Sequence, residues 1–176
     1  MYSKQYLEEL KNLHYDPKRP QGFGGKVKDL GQAYNFINYW MPSNCLDYGC
    51  GKGVILSHLN EKFPNTEFIG YDPALPMWDA KPKNTFDMVF SNDVLEHIEL
   101  NYIADVLKDI DKYANKYIWL RIDTKPARKE LSDGRNAHLI IQEQGWWTKV
   151  LENNLQGTIV YNELNKKGKL DVAIEK

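Results

Sequence analysis

Glycines alternate at Gly49, Gly51 and Gly53, between a short apolar segment typical of a strand and a longer segment typical of a helix. Glycine permits positive φ, and without a side chain it lets a ligand approach the backbone closely. The first turn of the following helix adds backbone N–H groups that no helical carbonyl accepts. We therefore predict that a polar ligand lies on the backbone of this turn, which also contains Cys50. A tight strand-to-helix turn that binds nothing is the alternative.

The residues around the glycines limit the charge of that ligand. A dinucleotide-binding GxGxxG pattern needs glycine at position 54, where the chain has Val54, and the phosphate-binding pattern GxxxxGK[ST] is absent from the sequence. Asp47 lies two residues before Gly49, and its carboxylate would repel a pyrophosphate but attract an ammonium or sulfonium group. The sequence thus favours a cationic or zwitterionic ligand.

A second carboxylate, that of Asp72, ends the next predicted strand and precedes Pro73. In doubly wound sheets an acidic residue at this place binds the vicinal hydroxyls of a ribose. Two acids and three glycines together describe a site for a nucleoside that carries a positively charged amino-acid tail.

The elements that must position these residues alternate between strands and helices, which is typical of an α/β fold. We predict a doubly wound, Rossmann-like sheet that is mostly parallel, with an antiparallel hairpin strand at its C-terminal end. A single domain, 1–176, is expected, with a helix and loop over 1–28 and the sheet-containing core over 29–176. Tyr15, Phe23 and Gly24 are candidates for a lid over the site. The predicted helices are 2–13, 29–40, 54–63, 94–114 and 146–152, and the predicted strands are 44–48, 66–71, 86–90, 117–122, 157–164 and 169–174.

Composition excludes several classes of protein. The 23 Lys and Arg residues are balanced by 24 Asp and Glu residues, so the net charge of −1 gives no basic field for a nucleic acid backbone. No apolar run approaches the about 20 residues of a membrane-spanning helix, and the first residues lack the apolar core of a secretion signal. We therefore expect a cytoplasmic protein. Cys45 and Cys50 form no CxxC pair, and the four histidines lack the spacing of zinc ligands, so no metal is expected.

Three motifs, in order along the chain, resemble those of the class I S-adenosylmethionine-dependent methyltransferases. They are LDYGCGKG at 46–53, GYD at 70–72 and FDMVFSNDVLEHI at 86–98. The resemblance covers residues 40–176 and implies S-adenosyl-L-methionine as cofactor and S-adenosyl-L-homocysteine as product. It places the glycine turn around the methionine part, Asp72 at the ribose, and Ser91 and Asn92 on the methyl-donor side. The cofactor-binding residues that it implies are Asp47, Gly49, Cys50, Gly51, Gly53, Asp72, Pro73, Ser91 and Asn92.

One segment departs from the family pattern. The family usually has a helix and a further strand after the ribose-binding acid, but here only residues 73–85 separate Asp72 from the next predicted strand. We expect that helix to be missing or reduced to a turn. Asp79 is then a candidate for the adenine contact, and Met77 or Trp78 for covering the base.

Asp93, His97 and His138 are the candidates for a catalytic base that assists methyl transfer, whereas Glu96 nearby is expected to be a solvated or structural acid. Asp93 precedes His97 by four residues in a predicted helix, where both would share one face. His138 lies in a polar loop after a strand, and such loops face the site in these sheets. A purely structural role for either histidine is the alternative, because positioning and exclusion of water can supply most of the catalysis.

The acceptor is expected to be a small molecule, methylated at oxygen or nitrogen. The chain has Ser91-Asn92-Asp93-Val94 where methyltransferases of this fold that act on nucleic acid bases or glutamine resemble one another in an Asn-Pro-Pro-Tyr tetrad. A basic loop would suit an anionic acceptor, although it is also typical of a solvated surface. The rival functions are a non-catalytic cofactor-binding protein and an aminopropyl transferase on the same scaffold. The basic residues of that loop are Lys125, Arg128, Lys129 and Arg135.

Overall fold

A computed structural model of the chain describes residues 2–15 and 30–176. Its strands are β1 (Asn44–Tyr48), β2 (Glu67–Tyr71), β3 (Phe86–Asn92), β4 (Ala114–Asp123), β5 (Thr158–Leu164) and β6 (Lys169–Glu175). They form one sheet in the order β2-β1-β3-β4-β6-β5. β1 to β4 pair in parallel, and β6 runs antiparallel to both of its neighbours. The predicted α/β class and mostly parallel sheet are confirmed, with the antiparallel strand inserted one place in from the edge.

Alternating residues of the central strands build a hydrophobic core on each side of the sheet, as strand geometry requires. In β4, Ile118 and Leu120 pack into one core, whereas Trp119 between them packs into the other. Helices cover both faces, so the sheet is doubly wound. The helices are α1 (Lys4–His14), α2 (Ala33–Trp40), α3 (Val54–Lys62), α4 (Ile103–Tyr113) and α5 (Gln144–Asn154).

The helix predicted over 94–114 is wrong in its first half. Two 3-10 turns, Leu95–His97 and Leu100–Tyr102, precede α4, and Asp93 has a φ of 55°, outside any helix. The carbonyl of Glu96, which a helix would use internally, accepts the N–H of Ile140 instead, at 3.0 Å. The helical face predicted to join Asp93 to His97 therefore does not form.

The segment between β2 and β3 contains turns but neither helix nor strand, as its length predicted. β2 is consequently an edge strand of the sheet. At the other end of the chain, Gly168 has a φ of 87° and closes the predicted hairpin between β5 and β6. Within residues 2–15 and 30–176, none of the helices is long and apolar enough to cross a membrane.

Candidate active site

The carboxyl ends of β1, β2 and β3 meet at one cavity, which is where open α/β sheets bind their ligands. One wall of the cavity is formed by part of the glycine turn after β1, by Asp72 after β2 and by Asp93 after β3. The helix α1 forms the opposite wall. The cavity has a volume of ≈ 90 Å³. It is lined by Tyr2, Tyr6, Leu10, His14, Gly49, Cys50, Gly51, Ile55, Asp72, Pro73, Asn92, Asp93, Val94, His97 and Ile98.

The backbone N–H groups of the glycine turn are used within the protein. Gly49 and Cys50 donate to the carbonyl of Tyr71, at 2.8 and 3.2 Å, and Gly53 donates to the carbonyl of Cys50 at 3.0 Å. Gly51 donates to Oδ2 of Asp72 at 2.9 Å. A phosphate would need those donors, so their internal use agrees with the cationic or zwitterionic ligand predicted from the sequence.

Asp72 joins the glycine turn to the segment that follows β2. Its Oδ2 accepts from Gly51, and its Oδ1 accepts from the N–H of Ala74 at 2.9 Å. The side chain is 7% exposed and lines the cavity. Because each carboxylate oxygen offers two lone pairs, both oxygens can still accept from the hydroxyls of a ribose.

Asp47 lies below the turn and not in the cavity lining. It is 1% exposed, and its Oδ2 is buried without a hydrogen-bond partner among the described residues. Burial raises the pKa of Asp47 well above its ordinary value, and the neighbouring Asp72 carboxylate adds to the rise. An uncompensated buried carboxyl is costly, and a cation bound above the turn would offset that cost.

Two glycines of the turn are required by φ and by close packing. Gly49 has a φ of 86°, and a Cβ there would lie 2.5 Å from a methyl group of Val94. Gly53 has a φ of 71°, and a Cβ there would lie 2.9 Å from the ring of Trp78. The turn is thus pressed between the segment after β3 and the segment after β2, with Trp78 against its outer side.

The helix α1 covers the cavity with a face that was not predicted from the sequence. Tyr6, Leu10 and His14 of this helix line the cavity at intervals of four residues, together with Tyr2, which precedes the helix. That spacing places side chains on one face of a helix and is the pattern from which they could have been found. Two carboxylates anchor α1: Glu99 accepts from the N–H and hydroxyl of Ser3, at 2.9 Å each, and Glu9 accepts from the N–H and hydroxyl of Ser132. The Tyr6 hydroxyl also donates to the carbonyl of His97.

Asp93 lines the cavity and forms an ion pair that the sequence did not predict. Nζ of Lys169, at the start of β6, lies 2.8 Å from Oδ1 of Asp93 and 2.8 Å from Oδ2 of Asp123. The Asp93 side chain is 6% exposed, so this pair is nearly buried. The ammonium thus compensates the negative charge of Asp93 inside the protein.

His97 and His138, distant in the sequence, meet behind this wall. Their rings contact edge to face with centroids 4.7 Å apart. Nδ1 of His97 bonds to the carbonyl of Ala137 at 2.6 Å, and Nδ1 of His138 bonds to the carbonyl of Lys125. Only His97 of the two lines the cavity.

Glu96 is a fully buried carboxyl beside the two histidines. It is 0% exposed, and its Oε1 accepts from the N–H of Asp123 at 3.0 Å, whereas Oε2 has no hydrogen-bond partner. Burial raises the pKa of Glu96 to about 8, and the Asp93 carboxylate adds to the rise. The sequence predicts a solvated or structural acid at Glu96 and does not reveal this cluster, since His138 comes from a separate segment.

Several residues singled out from the sequence lie away from the cavity lining. The Ser91 hydroxyl donates to the carbonyl of Tyr48 at 2.8 Å and joins β3 to the end of β1. Arg135 pairs with Asp133 at 2.7 Å, and Tyr15 is 61% exposed. Phe23 and Gly24, and with them the larger part of the predicted lid, lie outside the described residues. The predicted site residues outside the lining are Asp47, Gly53, Ser91 and His138.

Solved structures share this fold at low sequence identity. The 1,6-didemethyltoxoflavin-N1-methyltransferase of Burkholderia thailandensis, with bound 1,6-didemethyltoxoflavin and S-adenosylhomocysteine, has a TM-score of 0.66 at 14% identity, covering 98% of this chain and 89% of that chain. The magnesium protoporphyrin IX methyltransferase of Synechocystis, with bound S-adenosylmethionine, has a TM-score of 0.61 at 12% identity, covering 99% and 97%. A mitomycin 7-O-methyltransferase has a TM-score of 0.66 at 10% identity, covering 96% and 60%. A search of curated proteins finds no match.

The family model described as "Methyltransferase domain" matches residues 10–157, which is most of the chain. The match includes the glycine turn, Asp72 and the segment after β3, which are the parts that form the cavity wall. The sequence-based predictions of enzyme class and of S-adenosylmethionine as cofactor are confirmed with it. The chain therefore belongs to the methyltransferase domain family, within the class I S-adenosylmethionine-dependent methyltransferases.

Proposed function

We propose that this methyltransferase acts on a small molecule and transfers the methyl group to an oxygen or nitrogen atom. The observation that carries the proposal is a single cavity lined both by the glycine turn and Asp72 and by Asp93 and His97. Residues of the kind that bind the cofactor and residues of the kind that transfer protons thus lie on two walls of the same cavity. The neighbour from Burkholderia thailandensis, which holds a small heterocycle, supports the choice of a small acceptor.

We assign the cofactor to the turn and to the two buried acids. Asp72 would accept hydrogen bonds from the ribose hydroxyls. The carboxylate of Asp47, whose Oδ2 has no hydrogen-bond partner among the described residues, would balance the positive charge of the ammonium group of the methionine part. Pro73 and Asn92 line the same wall, and Oδ1 of Asn92 is buried without a hydrogen-bond partner. Gly53 and Ser91 would shape the site without touching the cofactor. When bound, S-adenosylmethionine supplies a methyl group on a positively charged sulfur that a nucleophile can displace in line.

The acceptor wall would orient the nucleophile and exclude water, which can supply most of the rate of such a transfer. Among the predicted bases, Asp93 and His97 line the cavity and are placed to take a proton from the acceptor. His138 would act as a positioning residue, since its ring touches that of His97. None of the four basic loop residues lines the cavity, so the anionic character of the acceptor stays a prediction.

We also propose that α1 belongs to the lid of this site, which was predicted within the leading segment 1–28. The cavity of ≈ 90 Å³ is smaller than the about 300 Å³ at which small-molecule pockets begin. A nucleoside-sized ligand therefore requires α1 to move outward, and closure would then shield the reaction from water. The leading segment would thus belong to the single domain.

A transfer assay tests the proposal. The full chain is incubated with S-[methyl-³H]adenosylmethionine and a metabolite extract, and S-adenosylhomocysteine binding is measured in parallel by titration calorimetry. We expect the ³H label in a small-molecule product and tight binding of S-adenosylhomocysteine. Binding without methyl transfer to any small acceptor would favour a non-catalytic cofactor-binding protein. Transfer of the aminopropyl group from decarboxylated S-adenosylmethionine would favour an aminopropyl transferase. A cytoplasmic location stays a prediction that cell fractionation can check.

A further inference from the structure

Glu96, His97 and His138 form a compact group with ligand-type atoms. Each residue offers one such atom, and these atoms lie within 4.8 Å of one another. The histidine rings contact edge to face, and the group stands directly behind the cavity wall to which His97 contributes. Two imidazoles and one carboxylate at this separation are a donor set for a metal ion.

The backbone orients both imidazoles for ligation. Nδ1 of His97 and Nδ1 of His138 each bond to a backbone carbonyl, that of Ala137 and that of Lys125. A carbonyl only accepts, so in the neutral rings each Nδ1 carries the proton and each Nε2 carries the lone pair. Metal-bound histidines are held in this way, with the second ring nitrogen donating to a carbonyl or carboxylate.

The third member supplies an independent observation. Glu96 is 0% exposed, Oε1 accepts from the Asp123 N–H, and Oε2 is buried with no hydrogen-bond partner among residues 2–15 and 30–176. A cation at Oε2 would satisfy this buried oxygen.

We propose that Glu96, His97 and His138 bind a first-row divalent transition metal ion. Imidazole ligands favour ions such as Zn²⁺ or Co²⁺ over Mg²⁺ and Ca²⁺, which prefer all-oxygen sites. Three protein ligands leave a coordination position open, as in catalytic zinc sites. The sequence predicts no metal site, because the three ligands do not follow a short spacing along the chain. Only the statement that this metal ion lies beside the methyl acceptor rests on the proposed function. With the ion bound, His97 and His138 act as metal ligands and not as catalytic bases.

Cobalt titration tests the site in the full chain after removal of metals with EDTA. We expect one equivalent of Co²⁺ to bind and to give the d–d absorption of a four- or five-coordinate ion, with displacement by Zn²⁺ and none by excess Mg²⁺. The Co²⁺ protein should also show two paramagnetically shifted, exchangeable N–H signals, one from each Nδ1. Absence of the absorption, or fewer than two such signals, would overturn the proposal without recourse to any variant.

Variants locate the ion. Glu96→Gln and His138→Gln should each weaken Co²⁺ binding at least about tenfold, while His58→Gln, a histidine of α3 that packs on Tyr34, should leave it unchanged. Circular dichroism and S-adenosylhomocysteine affinity report whether each variant is folded. Equal Co²⁺ affinity in all three variants contradicts the site. If the protein binds S-adenosylhomocysteine but fails to bind Co²⁺, the metal site is refuted and the proposed function is not. If it binds Co²⁺ but fails to bind S-adenosylhomocysteine, the proposed function is refuted and the metal site is not.

Discussion

Two walls of one cavity are built by different means. The cofactor side, residues 47–53 with 72–74, is nearly contiguous in sequence, and backbone hydrogen bonds to Tyr71 and Asp72 fix it. The acceptor side is made of residues 93–97, His138 and Lys169, which come from three distant segments and meet through side chains. The difference indicates that the cofactor side is determined by local geometry, whereas the acceptor side depends on how the whole chain packs.

The largest expected effect is a loss of stability, and it is tested at two glycines with the same backbone conformation, one on the cofactor side and one on the acceptor side. Gly49 has a φ of 86° and Gly134, in the loop that carries His138, has a φ of 85°. Alanine at either position incurs left-handed strain of about 1–2 kcal/mol. At Gly49 the new Cβ also meets Val94 at 2.5 Å, whereas at Gly134 it meets nothing within 4 Å.

Overpacking should therefore add about 1–3 kcal/mol of destabilisation to Gly49→Ala alone. Urea unfolding of the two variants against the wild type measures the difference in free energy. Equal losses would show that the cofactor turn is no more tightly packed than the exposed loop, and the contrast between the two sides would then be lost.

Asp72→Ala should weaken S-adenosylhomocysteine binding about 100-fold, because it removes two charged acceptors that each contribute about 1.5 kcal/mol. It also releases the N–H groups of Gly51 and Ala74. Asp105→Ala, at an exposed position of α4, is the matched control and should keep wild-type affinity. Calorimetry measures both, and unchanged affinity in Asp72→Ala would remove the ribose role from this residue.

The two sides also differ in how far the sequence predicts them. The turn at 49–53 and Asp72 were predictable, since alternating glycines and an acid after the next strand act through local geometry that spacing encodes. The meeting of His97 with His138 was not, because the carbonyl of Glu96 bonds to Ile140 and breaks the predicted helix. Lys169 could not be paired with Asp93 without knowing that β6 inserts beside β4.

The roof of the cavity is an intermediate case. The helix α1 was predicted to within two residues at its start, but the lid candidates named in the leading segment, Tyr15, Phe23 and Gly24, all follow it. The four-residue spacing from Tyr6 to His14 marks a helix face but does not say what that face covers. The strand positions and the α/β class followed from the alternation of strand-like and helix-like segments, which is why the fold was predicted better than the acceptor side.

Glu96, on the acceptor side, contributes a pH dependence to the stability of the protein. Its pKa is raised from 4.5 to about 8, mainly by burial. Between these values the folded state holds more protons than the unfolded state, so stability falls as pH rises toward 8. In EDTA, the free energy of unfolding of the wild type should decline from pH 5 to 8.5.

Glu96→Gln removes that titration and should flatten this part of the profile relative to the wild type. His97 and His138 are retained in both proteins, so the difference between the two profiles isolates the carboxyl. Urea titrations at four pH values measure it. A wild-type profile parallel to that of the variant would show that Glu96 is ionised at neutral pH without any cation. Burial would then not raise the pKa of this carboxyl.

The smallest effect tests whether α1 couples the two sides. Glu9 is 9% exposed and ties α1 to Ser132 in the loop that carries His138. Loss of this anchor in Glu9→Ala should favour opening by about 1 kcal/mol, and so speed S-adenosylhomocysteine release about fivefold. Glu8→Ala removes only an exposed pair with Lys11 and should change the rate little. Stopped-flow fluorescence can follow release through Trp78, which packs against the glycine turn. If both variants release the product at the wild-type rate, α1 is a fixed wall, and the acceptor loop exerts no control over the cofactor side.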